Sequence, residues 1–503
     1  MVFGWLKDLF TPDEPPPRRA RDDGHGSAAW AGYGYRDFGS HETGVFLGIM
    51  QAPREGLEHA SDLAPLVETI YTRPETNLLI CAPPGTGKGT TIIIPTLLDF
   101  RQSAFVIDPK GENAAVTMRC RRDHHEQTVH VLNPWGLHGI PTSRINPLDL
   151  LDRDDINCVS NATFLADLIM VPNPGSHDRF WDESARAMLI GLMLYIVDQE
   201  PQNNNLAYLR RLATLPDREF DKIAGEMALS DAFDGALSEA GGTILGMDTK
   251  TCSNVRATVQ AHTAFLADPV IKQATDRSDF SFSELKQKPT TVYVIIPAEH
   301  LGTQSRWLRL MVGMALTSIE RGTRFNVRTL LMLDEFAALG RMQKIETGIA
   351  TLRGYGVDFA LAVQDLNQIR NIYGPAADTL LANCADKWFC RISDLNTAQL
   401  VSAMLGTATI QERSESTSHN PGQPEPSTSE SWSSRARPLM MPDELLGKGP
   451  ETAFLIRSGA PPIMVAPYPY YVNEGCMEWA DPNPFGPAVQ PAPERNKQPS
   501  EDD

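Results

Sequence analysis

Seven short runs dominated by Val, Ile, Leu and Phe punctuate the chain: NLLICA (77–82), AFVID (104–108), TVHVLN (128–133), TTVYVIIP (290–297), TLLMLDE (329–335), DFALAVQ (358–364) and KWFCRI (387–392). Nearly continuous apolar runs of this length predict strands buried on both faces of a parallel sheet. Helical patterns fall between several of them, among them TTIIIPTLLDF (90–100) and DLNTAQLVSAMLG (394–406). Strand and helix in this alternation predict an α/β layered domain.

Residues 153–278 carry a different pattern. In FWDESARAMLIGLMLYIVDQ (180–199), Trp181, Ala185, Met188, Leu192 and Tyr195 fall on one helical face, with Asp182 and Glu183 in the first turn. NVRATVQAHTAFLADP (254–269) reads as a helix ended by its proline, and few strand-like runs interrupt the region. An all-α domain inserted into the sheet domain is the expectation. Three polar tracts frame the ordered parts. Residues 11–27 read as a linker rich in proline and charge, 411–438 as a long loop or disorder, and the stretch from Cys476 onward as a tail of the same character. The expected organisation is a flexible segment 1–24, the sheet domain in two parts (25–152 and 279–475, the second containing the 411–438 loop), the all-α insertion 153–278, and a flexible tail 476–503.

Composition narrows the class. A chain of 503 residues is too long for one compact core. Its net charge of −18 argues against a surface coated with basic residues for nucleic acid, while leaving room for a local basic lining. The seven cysteines show no CxxC pair and no histidines at zinc spacing, which suits buried thiols in a reducing compartment. No run of about 18 apolar residues predicts a transmembrane helix. The first ten residues, MVFGWLKDLF, are apolar nearly all round if helical. They read as a terminus docking on its own protein, or as a contact with a membrane surface or partner.

The candidate chemistry begins at APPGTGKGT (82–90). It sits between a strand and a helix, the order in which backbone N–H groups cradle phosphates and a lysine reaches the β and γ phosphates. Gly85, Thr86, Gly87, Lys88, Gly89 and Thr90 are therefore the candidate nucleotide contacts. Two departures weaken the motif: alanine stands at its first position (Ala82), and glycine follows the lysine where serine or threonine is usual. TLLMLDE ends a buried strand in Asp334 and Glu335, and two buried carboxylates without a cation would be costly. Mg2+ and an attacking water give them a purpose, Asp334 in the metal shell and Glu335 polarising the water. Gln364 ends a neighbouring strand and is a candidate for contacting the γ-phosphate, or else an amide capping the next helix. Arg353, between those strands, is a candidate for reaching a neighbouring subunit's nucleotide, or else a surface cation.

HGSAAWA (25–31), APPGTGKGT, IIIPTLL, VIDPKGE (106–112), INPLDLL (145–151), RFWDESARAML (179–189), LLMLDEFAALG (330–340), LRGYGVDFALAVQDLNQI (352–369) and RPLMMPDELL (437–446) together resemble the type IV secretion coupling proteins, conjugative TraG-type ATPases. The resemblance covers roughly residues 25 to 472. It implies a RecA-like P-loop NTPase domain with an inserted all-α domain, ATP and Mg2+ as cofactors, and hexamers around a channel. By the same resemblance Lys88, Asp334, Glu335, Arg353 and Gln364 fall on the family's nucleotide-site positions. Glycine after the lysine is frequent in that family. The metal then lacks its usual hydroxyl ligand, and Thr90, one residue on and about 100° round the helix, is left to serve through water. The expectation is nucleotide binding with slow hydrolysis.

The function implied is an ATP-driven coupling protein that recruits a relaxase–DNA complex or secreted proteins to the type IV secretion channel at the inner membrane. Coupling proteins normally carry a membrane segment before the part matching HGSAAWA, and only about two dozen residues stand there in this chain. The expected location is therefore cytoplasmic, held at the inner membrane through partners. The alternative is a nucleotide-binding receptor or scaffold with little intrinsic turnover. The basic clusters RCRRDHH (119–125) and RGTRFNVR (321–328) suit solvated surfaces or helix caps as well as DNA.

Overall fold

The computed structural model describes residues 24–32, 38–51, 67–171, 179–321, 327–418 and 427–486. The apolar decapeptide 1–10, most of the 11–27 linker and residues 487–503 of the tail lie outside the described residues. Thirteen strands are described, in chain order β1 (Phe46–Gln51), β2 (Val67–Tyr71), β3 (Leu78–Cys81), β4 (Ser103–Asp108), β5 (Thr128–Leu132), β6 (Thr290–Ile295), β7 (Thr329–Leu333), β8 (Val357–Val363), β9 (Asp386–Cys390), β10 (Thr407–Ser418), β11 (Ser427–Pro438), β12 (Ala453–Arg457) and β13 (Ile463–Val465). Nine of them form one sheet in the order β13-β12-β9-β3-β8-β7-β4-β6-β5. The seven apolar runs supply the parallel stretch from β9 to β5, and β12 and β13 extend it antiparallel beyond β9.

Burial on both faces explains why those runs are so uniformly apolar. Leu79, Phe105, Ile107, Leu331 and Leu333 point into one core, while Leu78, Ile80, Val106, Leu330 and Met332 point into the other. The second core is closed by Ile92 and Ile93 of the turn before α1 (Ile94–Asp99), by Leu97 of α1, and by β1 and β2 through Leu47 and Ile70. The expected helix 90–100 thus begins as a wider π-helical turn, Gly89–Ile93, with Ile94 N donating to Gly89 O. A short helix α2 (Glu112–Arg119) follows β4 on the same side.

Between β5 and β6 the described chain forms helices and no strand: α3 (Cys158–Ile169), α4 (Arg179–Gln199), α5 (Leu206–Ala213), α6 (Asp217–Ala228), α7 (Ala236–Leu245), α8 (Thr249–His262), α9 (Pro269–Ala274) and the single turn α10 (Glu284–Gln287). Met188, Leu192 and Tyr195 of α4 are buried, as their shared face requires. The stretch 254–269 differs from expectation. α8 stops at His262, a 3-10 turn covers Ala264–Ala267, and Pro269 opens α9, its ring at a first-turn position where no backbone N–H is needed.

These helices share one apolar core with the first sheet face rather than standing apart from it. The junction is tied by α11 (Ser305–Arg321), where Arg306 Nε donates to Ile169 O and Arg309 Nε to Leu168 O at the end of α3. Arg309 Nη1 also donates to Leu339 O and Arg341 O at 2.8 Å. The second half of the chain continues through α12 (Gln343–Thr351), α13 (Leu366–Tyr373), α14 (Ala376–Asn383) and α15 (Leu395–Leu405), capped by the Asp394 carboxylate. It then runs through α16 (Pro442–Leu446) to α17 (Glu474–Trp479).

Two expectations for polar tracts are corrected. Over 411–438, expected to be a loop, the described residues are the arms of an antiparallel hairpin, with β10 and β11 in register from Thr407–Pro438 to Ser418–Ser427. The beginning of the tail is docked: Cys476 is buried, Trp479 stacks on His124 at 3.7 Å, and Arg119 Nε pairs with Asp481 Oδ1 at 2.6 Å. All seven cysteines are free thiols, and six are buried.

Candidate functional site

Parallel strands deliver their C-terminal ends to one edge of the sheet, and three neighbouring ends meet here. β3 runs into the glycine loop, β7 ends before Asp334, and β8, hydrogen-bonded between them, ends before Gln364. The loop turns through Gly85 (φ +79) and Gly87 (φ +80), left-handed conformations that L side chains rarely adopt. A Cβ on Gly87 would stand 3.1 Å from Thr90 Oγ1, and nothing lies within 4 Å of one on Gly85. Backbone bonding in the helix starts with Thr91 N donating to Gly87 O. The N–H groups from Gly87 to Thr90 are thus left without an intrahelical acceptor. Glycine-lined space, free N–H groups and a lysine are a donor set that fits a polyphosphate.

Lys88 lies across the two carboxylates, with Nζ 3.3 Å from Asp334 Oδ1 and 3.2 Å from Glu335 Oε1. Burial works against the ammonium, but Asp334 and Glu335 outweigh it and hold the amine above its usual range. Burial also pushes the Asp334 carboxyl up, Lys88 opposing and Glu335 reinforcing the shift. Glu335 adopts a left-handed backbone (φ 56, ψ 46), an uncommon conformation for a side-chain-bearing residue, and its N–H donates to Asp334 Oδ1 at 3.1 Å. That reversal turns both carboxylates toward Lys88. Gln364 Nε2 donates to Glu335 Oε2 at 3.2 Å, while its own N–H donates to Gln368 Oε1.

Lys88, Asp334, Glu335 and Gln364 are therefore brought together in one chain. Arg353 is not. It lies in a 3-10 turn before β8, at the opposite end of the strands, mostly exposed and 3.6 Å from Glu75 Oε2. There it borders a cleft of about 370 Å³ lined also by Arg73, Asn77 and Asn383.

The metal side is sparse. Thr90 Oγ1 donates to Gly87 O at 3.0 Å and Thr86 Oγ1 to Pro83 O at 2.7 Å, so both hydroxyls are turned into the loop. Among the described residues no group of three acidic, histidine or cysteine side chains is poised around a common point for a cation. A single carboxylate, Asp334, beside a phosphate loop still fits Mg2+, which is commonly held by one or two carboxylates plus substrate phosphates and water.

Two acids of this edge were not assigned from sequence. Asp108 ends β4, next to the Asp334 strand, fully buried, and accepts from Ala114 N at 2.9 Å. Burial lifts its carboxyl to about 7, opposed by hydrogen bonds from Ala114 and Lys110 and helped by Asp334. Glu112 opens α2, and its Oε2 lies 3.9 Å from where a Cβ on Gly89 would be. Both belong to VIDPKGE, and the signal was available: an acid ending one buried parallel strand beside another acid-ended strand shares its edge of the sheet.

A family model for type IV secretory system conjugative DNA transfer matches residues 66–498. The conjugal transfer protein TraG of Escherichia coli is 27% identical over 453 residues, 84% of this chain and 70% of that protein. Protein VirD4 of Agrobacterium fabrum is 25% identical over 476 residues, 89% of this chain and 66% of that protein. The plasmid coupling protein TrwB, solved in complex with the non-hydrolysable ATP analogue ADPNP, superposes with a TM-score of 0.60 at 16% identity, covering 86% of this chain and 96% of that one. Its complex with ADP and Mg2+ gives 0.59 at 16% identity, with coverage of 86% and 97%. At that identity the likeness is one of fold, a RecA-like P-loop NTPase sheet carrying an all-α domain.

Proposed function

The chain belongs to the type IV secretory system conjugative DNA transfer family, and from that premise we propose that it is an ATP-driven coupling protein, recruiting DNA or protein substrates and passing them to a type IV secretion channel. The observation that carries the reading is the convergence of Lys88, Asp334, Glu335 and Gln364 on the mouth of the glycine loop. ATP with Mg2+ supplies the phosphoryl transfer to water whose free energy drives movement.

In this reading the loop N–H groups from Gly85 to Thr90 hold the phosphate oxygens. The Lys88 ammonium, now shared by two carboxylates, turns to the β and γ phosphates. That exchange leaves Asp334 free to face the metal and Glu335 free to take a proton from water. Gln364, bonded to Glu335, is placed to sense whether the terminal phosphate is present. The sheet parts 25–152 and 279–475 act as the motor, and the helical region 153–278 is the substrate-recruiting face. The working form is a hexamer, acting at the inner membrane with the channel components and a relaxase–DNA complex or secreted protein. Among the described residues no helix is long and apolar enough to cross a membrane.

The test pairs two variants. Lys88→Ala is expected to weaken ATP binding and abolish transfer. Glu335→Gln keeps the metal-side charge on Asp334 and loses the base, so it should bind ATP normally while turnover falls about 10²–10⁴-fold. Unchanged turnover in Glu335→Gln would remove the assignment. A second reading, a nucleotide-binding receptor with little turnover, is favoured by Gly89 and by the inward-turned Thr90 hydroxyl. Turnover that stays low with single- and double-stranded DNA added would select it.

A further inference from the structure

The missing hydroxyl at Gly89 leaves a gap in the loop, and the nearest side-chain atom to that gap is an acid. Beyond its chain neighbours and its own helix, a Cβ built on Gly89 meets only Glu112 Oε2, at 3.9 Å. Serine or threonine at this position would project its hydroxyl into the space that this carboxylate oxygen borders. Glu112 is not placed there by chance of rotamer alone. Its other oxygen, Oε1, accepts from Asn483 Nδ2 at 2.6 Å, and Asn483 Nδ2 also lies 3.2 Å from the Tyr470 hydroxyl. Asn483 is itself fixed, since its Oδ1 accepts from Phe485 N at 2.8 Å. The segment bearing it is fastened along α2 by Arg119–Asp481 and by Asp481 N donating to Val116 O. The docked start of the C-terminal tail therefore orients one carboxylate oxygen of Glu112 outward and leaves the other facing Gly89.

An anionic oxygen beside a phosphate-binding loop opposes the nucleotide unless a cation stands between them. The loop lacks the neutral oxygen that usually meets that cation, and Thr90 is turned away. Resting on the nucleotide-binding reading above, we propose that Glu112 supplies the metal-side oxygen that Gly89 cannot, and that Asn483 is its positioning residue. The consequence is a division of labour in which Asp334 serves the metal from β7 and Glu112 from α2. Metal affinity is thereby linked to docking of the C-terminal segment.

The measurement is binding of a fluorescent ADP analogue to the full chain, titrated with Mg2+ and repeated in chelator. Glu112→Gln keeps the shape and the Asn483 contact but removes the charge. It is expected to raise the Mg2+ concentration for half-maximal tightening about tenfold, the size seen when partners around a metal ligand are removed, while affinity in chelator rises because the unscreened carboxylate is gone. Asn483→Ala should move the same constant by a few-fold, and Gly89→Ser in the Glu112→Gln background should bring it back. Circular dichroism and melting of each variant establish that the comparison is between folded proteins. An unaltered Mg2+ titration in both Glu112→Gln and Asn483→Ala would overturn the proposal. So would a Glu112→Gln protein that binds the analogue more tightly by the same factor with and without Mg2+, since the carboxylate would then act only as a repulsive charge. Wild-type protein that binds no analogue in either condition would instead remove the nucleotide reading on which the proposal stands.

Discussion

Asp108 is a buried acid whose charge the fold disfavours. It is enclosed at the end of β4, and burial lifts its carboxyl to about 7 from an ordinary value of 3.8. A carboxyl raised on folding favours the folded state while protonated, below the unfolded value, and that advantage is lost as pH rises through the folded one. Between pH 5 and pH 8 the penalty on the wild-type protein grows by roughly 2–3 kcal/mol. Asp108→Asn keeps an acceptor for Ala114 N and removes the titration. Its melting temperature should therefore rise relative to wild type as pH goes from 5 to 8, and a difference independent of pH would count against a buried, titrating Asp108. Residue chemistry of this kind was only partly legible. Lys88, Asp334 and Glu335 were found because each ends or follows an apolar strand in a recognisable pattern. Asp108 and Glu112 lay in an equally clear motif but received no role, because their meaning depends on which strands are neighbours. The sheet order β7-β4-β6 is a long-range fact that no local pattern carries.

At the scale of elements, the wide turn and α1 that follow the phosphate loop are anchored by one buried cation. Arg121 Nη1 donates to Leu97 O and Phe100 O, both at 2.9 Å, and Nη2 to Gln102 O at 2.8 Å and Gln127 Oε1 at 2.9 Å. A guanidinium at the C-terminal end of a helix meets orphan carbonyls and the negative end of the dipole together. Burial lowers its pKa, and no carboxylate is among these partners. Arg121→Met fills similar space and strands these acceptors, a loss of about 3 kcal/mol or more, which in a chain of this size corresponds to a melting transition lower by about 3–6 °C. Hydrogen exchange should quicken over residues 94–102, and unchanged protection there would show that α1 does not depend on the anchor. The elements that escaped the sequence reading did so for different reasons. β13 has only three residues, too few to show a pattern, β12 (AFLIR) is an apolar run of the same kind as β7 that was not read as a strand, and β1 and β2 form a small antiparallel pair on the second core. The β10–β11 hairpin was read as a loop because its residues have little to bury. Its backbone groups are satisfied by each other, with cross-strand pairs Arg413–Glu430 and Arg435–Glu412 on an exposed ribbon. Polarity excluded a core there, but not a ladder.

At the scale of the whole molecule, the position of Arg353 bears on assembly. β8, seven residues long, separates it from Gln364, a distance of about 20 Å or more along the strand, beyond the reach of a side chain toward its own nucleotide site. If Arg353 acts on a nucleotide, that nucleotide belongs to a neighbouring subunit, across an interface that would join the Arg353 edge of one sheet to the Lys88 edge of the next. Heterologous contacts of that kind close into rings where the rotation between subunits closes. A guanidinium supplied in trans neutralises charge spreading over the transferring phosphoryl group, worth roughly 10³–10⁵ in rate. Arg353 is now 3.6 Å from Glu75, an exposed pair contributing little, so releasing the guanidinium costs little. Arg353→Ala and Lys88→Ala proteins should each be inactive alone. Mixed in equal amounts and allowed to exchange subunits, they should recover up to about a quarter of wild-type turnover, the chance that an intact Lys88 site meets an intact Arg353 from its neighbour in a ring. Turnover at the wild-type rate by Arg353→Ala, or full activity from a protein that stays monomeric in mass measurements, would leave Arg353 as a surface cation paired with Glu75. Inactive single variants that recover nothing on mixing, despite proven subunit exchange, would place the role of Arg353 within its own chain.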